Sequence, residues 1–219
     1  MTPKVVCFDL GGVLVRICRS FAEAVTQAGL PLRNGDRLDD NEWLLRRRRV
    51  MQAHQIGELS CDEYCVALAD ALEHTYTAQE LKLVHDAWTL DEYDGVGELL
   101  DELNAIPGLL TACLSNTNDA HWLRLSGRAG GAVEYPTVRK LKALLASHEL
   151  GLAKPDPRIY RAAQERFGCE PEAILFFDDL MDNVQAARTV GWNAERIDPE
   201  GSPARELRSL LVQHGVLTA

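Results

Sequence analysis

Three apolar runs along the chain each stop abruptly on polar residues, and a fourth segment behaves alike. Val5-Val6-Cys7-Phe8 runs into Asp9 and then Leu10-Gly11-Gly12-Val13-Leu14. Residues 109–114 run into Ser115-Asn116-Thr117-Asn118, and residues 173–177 into Asp178-Asp179. Gly151-Leu152-Ala153 leads into Lys154-Pro155, just ahead of a helix start. Short unbroken apolar runs bounded by turn residues read as strands buried on both faces. Polar residues at their carboxyl ends lie where open α/β sheets bind ligands.

The pattern between these runs changes once. From about residue 17 to 92 it is helical, with no strand-like runs. Phe21, Ala24, Val25 and Ala28 share one helical face, and Leu81, Val84, His85 and Trp88 make another stripe. Ser60-Cys61-Asp62-Glu63 and Thr77-Ala78-Gln79-Glu80 are capping boxes, which satisfy orphan backbone donors at a helix start. Four helices in this stretch make a small bundle.

From residue 93 helix and strand alternate. Helix 94–105 stops at Pro107-Gly108, strand 109–114 follows, and a short helix covers 119–127. A strand at 143–147 precedes a helix opened by Asp156-Pro157 and closed by Gly168. Strand 173–177, helix 183–190 before Gly191, strand 193–197 and a helix from Pro203 complete the chain. The expected fold is α/β, a Rossmann-like parallel sheet with helices on both faces plus an inserted helical bundle. Residues 1–16 and 93–219 form the core domain in this reading, and residues 17–92 the insertion.

Composition narrows the partners. Lys and Arg number 23 against 33 Asp and Glu, a net charge of −10 over 219 residues. Sequence-independent nucleic-acid binding needs clustered cations, so none is expected. No apolar run reaches the ~20 residues of a membrane span, and Met1-Thr2-Pro3-Lys4 leads straight into a strand without a signal peptide. Cys7, Cys18, Cys61, Cys65, Cys113 and Cys169 are scattered and read as reduced thiols of a cytoplasmic protein. Cys61 and Cys65 share a helical face, but no second Cys or His pair accompanies them. His54, His74, His85, His148 and His214 show no metal spacing. Nothing in the pattern separates a monomer from a dimer.

The strand ends carry the chemistry. Asp9 is the candidate nucleophile, able to form an aspartyl-phosphate that water releases. Ser115 and Asn116 would cradle phosphoryl oxygens, although both residue types also suit a helix N-cap. Lys154 supplies a point charge to Asp9 and the phosphoryl group. Asp178 and Asp179 repel each other at a buried strand end unless a hard cation with oxygen ligands, such as Mg²⁺, lies between them. Asp182 reads as the N-cap of the next helix, with Asn183 behind the acids. Arg46 to Arg49 reads as a solvated helix face, and Trp43, Trp88 and Trp122 as packing anchors. His121 and Trp122 could also border the site.

These four segments, in this order from Lys4 to about Ile197, resemble the motifs of the haloacid dehalogenase-like superfamily. Phe8-Asp9-Leu10-Gly11, Leu114-Ser115-Asn116-Thr117-Asn118, Lys154-Pro155 and Phe176-Phe177-Asp178-Asp179 are most similar to its sugar-1-phosphate phosphatase group. They also resemble the phosphatase domain of soluble epoxide hydrolases. The resemblance implies a Mg²⁺-dependent phosphatase for a small phosphorylated metabolite, with residues 17–92 as a cap over the site. It implies Asp9, Asp179 and the Gly11 carbonyl as metal ligands, with Asp178 ligating directly or through water. Most such phosphatases carry a general acid where this chain has Gly11; the sugar-1-phosphate group also has glycine there. A 2-haloacid dehalogenase, needing no metal, and a phosphate-binding protein without turnover are the alternatives.

Overall fold

A computed structural model describes residues 2–37, 40–128 and 134–218. Its elements run β1 (Val5–Phe8), β2 (Val15–Ile17), α1 (Phe21–Gln27), α2 (Asn41–Gln55), α3 (Cys61–Ala71), α4 (Ala78–Asp86) and β3 (Thr89–Glu92). Then follow α5 (Val96–Asn104), β4 (Leu110–Ser115), α6 (Asp119–Leu125), β5 (Ala143–Ala146), α7 (Ser147–Leu150) and α8 (Pro157–Phe167). The chain closes with β6 (Ile174–Asp178), α9 (Met181–Thr189), β7 (Asn193–Arg196) and α10 (Pro203–Gln213).

Five strands form one sheet in the order β5-β4-β1-β6-β7, every pairing parallel. The strands read as unbroken apolar runs because both faces are covered. Val6, Phe8, Cys113, Leu175 and Phe177 pack into one core with α5 and α10. Val5, Cys7, Ala112, Leu114, Ile174 and Phe176 face the other way, toward α8 and α9. Alternate side chains of a strand point to opposite faces, so each strand feeds both cores. Phe8 and Phe177 stack with centroids 5.6 Å apart, directly before the two strand ends that carry Asp9 and Asp178.

The expected α/β class holds. The stretch expected to be purely helical does not: β2 and β3 pair antiparallel, Val15 with Glu92 and Ile17 with Thr89. Strands of three and four residues are too short to show a period, and their partner lies over seventy residues away. This ribbon frames the helical insertion at both ends. Helices α1 to α4 enclose a third core of Val25, Trp43, Leu68, Leu72, Tyr76 and Leu81. Both expected capping boxes form, at Ser60/Glu63 and Thr77/Glu80. Asp156 caps α8, with Pro157 in its first turn and Gly168 at φ 65 at its end. Arg46 and Arg47 are half-buried rather than solvated; Arg46 pairs with Glu42 and Glu73, and Arg47 lies over Phe21.

Candidate active site

The central strand β1 is where the chain turns to opposite sides of the sheet, since β4 follows on one flank and β6 on the other. A crevice opens at such a switch point, at the carboxyl ends of the strands. Asp9 stands there. Its backbone N–H donates to the Phe177 carbonyl at 2.8 Å, which sets it level with Asp178. Phe8 pairs with Cys113, so Ser115 ends β4 on the other side.

Lys154 joins the two acids. Its Nζ lies 3.0 Å from Asp9 Oδ1 and 2.7 Å from Asp178 Oδ2, with its side chain fully buried. Asp178 is the better-held anion: Leu180 N–H donates to Oδ1 at 2.9 Å, and Asn183 Nδ2 reaches both oxygens at 2.9 and 3.1 Å. Asp9 Oδ1 also accepts the Leu10 N–H at 2.7 Å, whereas Oδ2 has no donor among the described residues. That free oxygen is the one available for chemistry.

Burial would pull the Lys154 ammonium down, but Asp178 and then Asp9 outweigh it and hold the proton more tightly than usual. The competition falls on Asp9. Burial pushes its carboxyl above the usual range, Lys154 pulls it down, and Asp178 and Asp179 push it up again. Burial raises Asp179 as well, against the Arg19 hydrogen bond and with Asp178. Three carboxylates share two cations here, so the cluster is short of positive charge.

Asp9, Asp178 and Asp179 each bring an oxygen within 4.8 Å of the others. Such an all-oxygen set suits a hard divalent cation, which also cures the charge shortfall. Gly12 makes room: it sits at φ 79, and a Cβ there would fall 2.6 Å from Asp179 Cγ. The turn bonds, Val15 N–H to Leu10 O and Gly12 N–H to Val15 O, leave the Gly11 carbonyl out. Gly12→Ala should therefore displace Asp179 and pay about 1–2 kcal/mol for a left-handed backbone. Calorimetric titration should show Mg²⁺ binding weakened roughly 10–100-fold, as when an outer partner of a ligand is lost. Unchanged affinity would separate Asp179 from the cation.

The structure spreads the remaining expected residues differently. Asn116 spends its side chain on the Lys154 backbone, Nδ2 donating to the carbonyl at 2.9 Å and Oδ1 accepting the N–H at 2.8 Å. It holds the lysine loop in place. The cap of α6 is Asn118, not Ser115 or Asn116, because the Asn118 side chain accepts from His121 N–H. Ser115 is buried, and its hydroxyl has no hydrogen bond among the described residues. Asp182 is not an N-cap: Leu180 takes that place, and Asp182 lies in the first turn of α9. Trp122 packs in the core rather than on the site.

Residues 3–191 match the profile of haloacid dehalogenase-like hydrolases. The chain belongs to this family. This hydrolase is 30% identical over 205 residues to D-ribitol-5-phosphate phosphatase of Bacteroides thetaiotaomicron, covering 90% of this chain and 92% of that one. Shorter matches cover 31% of this chain and 33% of phosphatase MT3486 of Mycobacterium tuberculosis, at 42% identity. They cover 52% of this chain and 46% of (S)-2-haloacid dehalogenase 4A of Burkholderia cepacia, at 32% identity. The chain thus spans under half the length of these two relatives. In fold, it superposes on the family enzyme bt-2542 of Bacteroides thetaiotaomicron with a TM-score of 0.75 at 20% identity, covering 95% and 100% of the two chains.

One residue of the hydrolase's site had no sequence signal of its own. Arg19 Nη1 lies 2.7 Å from Asp179 Oδ2, across 160 residues of chain. Its loop is pinned by a third cap, with Ser20 accepting from Glu23 N–H and Glu23 accepting the Arg19 N–H at 2.6 Å. Ser20 is legible as a helix N-cap, but the reach of Arg19 is not.

Proposed function

We propose that this hydrolase is a Mg²⁺-dependent phosphatase that takes the phosphoryl group from a small phosphorylated metabolite of the sugar-phosphate class. The observation that carries this reading is the buried Asp9–Lys154–Asp178 array with Asp179 beside it. Two relatives are named as phosphatases, one for ribitol 5-phosphate and one for N-acetylmuramic acid 6-phosphate, each over most of its length.

Asp9 Oδ2 attacks phosphorus; a bond forms from that oxygen as the ester oxygen departs with its electron pair. Water then cleaves the aspartyl-phosphate and releases phosphate. Asp9, Asp179 and the Gly11 carbonyl would hold the cation, with Asp178 at its edge. When bound, the cation neutralises phosphoryl charge and keeps Asp9 ionised. Lys154 balances charge on Asp9 through the transfer. Ser115 brings its uncommitted hydroxyl to a phosphoryl oxygen, and Asn116 keeps Lys154 aligned. The α1–α4 insertion serves as the cap, closing on β4 and β1 through the β2–β3 ribbon.

The dehalogenase reading draws on the Burkholderia relative. An acidic pair suited to a cation, which carbon attack by Asp9 does not require, favours phosphoryl transfer. A panel of phosphate esters and 2-haloacids, each with and without chelator, decides. Metal-dependent phosphate release supports the proposal. Chelator-resistant halide release overturns it, and so does phosphate binding without turnover.

Gly11 sharpens the expected kinetics. It offers no proton donor, so the departing oxygen carries its charge nearly alone. Aryl, acyl and anomeric phosphates should outrun primary alkyl phosphates in kcat/KM, in a series varied in size to separate fit from chemistry. Gly11→Asp should narrow that gap, because a Cβ there meets only the Ile17 side chain, whose terminal Cδ1 at 3.0 Å has to shift by a few tenths of an ångström. A flat series in the native enzyme would mean that another group already supplies the proton.

A further inference from the structure

His54, Cys61 and His85 lie on three different helices, α2, α3 and α4, and meet inside the insertion. In sequence they show no metal spacing. In space the Nε2 atoms of His54 and His85 are 3.4 Å apart, and Cys61 Sγ is 3.6 Å from His85 Nδ1 and 4.0 Å from its Nε2. A tetrahedral ion with bonds of ~2.0–2.1 Å to imidazole and ~2.3 Å to thiolate spaces its nitrogens about 3.4 Å apart, and nitrogen from sulfur about 3.6 Å. Through His85 Nε2 the nitrogen pair already has that spacing, and Cys61 Sγ, at 4.0 Å, needs to close by about 0.4 Å.

The tautomer also fits. The Leu59 carbonyl, 2.8 Å from His54 Nδ1, can only accept, so Nδ1 carries the proton and Nε2 keeps its lone pair. A backbone carbonyl on the far nitrogen is the arrangement that orients metal-binding histidines. Tyr64 stacks on His54 at 4.4 Å and His121 on His85 at 4.0 Å, so both rings are clamped. Both histidines are buried and Cys61 is 9% exposed, yet a cleft of about 400 Å³ lined by His54, Gly57, Ser60 and Asp119 leads in from solvent.

We propose that His54, Cys61 and His85 form a second metal site, for a borderline-soft divalent ion of the Zn²⁺ class. Two nitrogens and a sulfur select such an ion, whereas the all-oxygen cluster around Asp9 selects Mg²⁺. On binding, the Cys61 thiol gives its proton to solvent as the sulfur–metal bond forms. The ion ties three helices of the insertion together. It also braces their contact with the core, because His121 Nε2 donates to the His85 carbonyl at 2.8 Å from α6, the helix that follows Ser115.

The test uses metal-stripped full-length protein with Mg²⁺ in excess to fill the Asp9 cluster, then Co²⁺ as a coloured probe and Zn²⁺ as competitor. One Co²⁺ per chain should give a thiolate-to-metal charge-transfer band with tetrahedral visible bands, and Zn²⁺ should displace it. Cys61→Ser should abolish the charge-transfer band and weaken Zn²⁺ at least about 100-fold, the upper end of what losing an outer partner costs. His54→Gln should weaken Zn²⁺ to a similar degree, while Cys65→Ser should keep the band. Circular dichroism of each variant confirms that it is folded. No charge-transfer band in the native protein, or a band that survives Cys61→Ser, overturns the proposal and leaves a hydrogen-bonded core cluster.

Discussion

Asp9→Asn is expected to remove phosphatase activity while leaving the fold intact. The amide is neither a nucleophile at phosphorus nor an anionic ligand, so bond making and cation binding fail together. Losing a nucleophile typically costs on the order of 10⁴–10⁶ in kcat. The fold should survive because Lys154 keeps Asp178 at 2.7 Å and Asp178 keeps Asn183 and the Leu180 N–H. Burial penalises the Asp9 carboxylate, so removing its charge also relieves strain on the cluster. Turnover of p-nitrophenyl phosphate and thermal unfolding should be measured on one preparation. Activity within tenfold of the native enzyme would rule out the aspartyl-phosphate route.

Lys154→Met is expected to damage activity and stability at once. The substitution fills the same volume but leaves two buried carboxylates without their shared cation. Breaking a buried pair by removing one partner costs about 3–5 kcal/mol. The loss should depend on pH in a definite direction. Without the ammonium, the folded-state pKa of Asp9 rises further above its unfolded value. A raised carboxyl costs nothing below the unfolded value and costs more as pH climbs to the folded one. The variant's deficit should therefore be largest near neutral pH and shrink toward pH 4. Denaturant unfolding at several pH values, without divalent cations, measures this. A deficit constant with pH would mean that Lys154 contributes packing, including its approach to Phe176, rather than charge.

Much of this fold is legible in the sequence. The sheet strands carrying Asp9, Ser115 and Asp178 announce themselves because burial on both faces demands unbroken apolar runs. The lysine loop shows itself through Asp156-Pro157, which must open a helix. Helix starts at Ser60 and Thr77 follow from local hydrogen bonding. These are short-range demands, met within a few residues, and a linear pattern records them. An acid after β1, a lysine ahead of a helix start and an acidic pair after β6 were likewise readable.

What tertiary structure alone decided is how those groups divide the work. Asn116, a phosphate ligand on its residue type, turns out to spend its amide on the Lys154 backbone. Arg19 reaches Asp179, the β2–β3 ribbon closes across the insertion, and His54, Cys61 and His85 converge from three helices. Each depends on where a side chain meets a partner tens of residues away. Hydrophobic period tells which face of an element is buried, but not which element it is buried against. The sequence by itself determined the strands of the parallel sheet, the helix starts and the acids at the strand ends. The packing of one element on another determined the partners, because polar contacts at long range are set by the path of the whole chain.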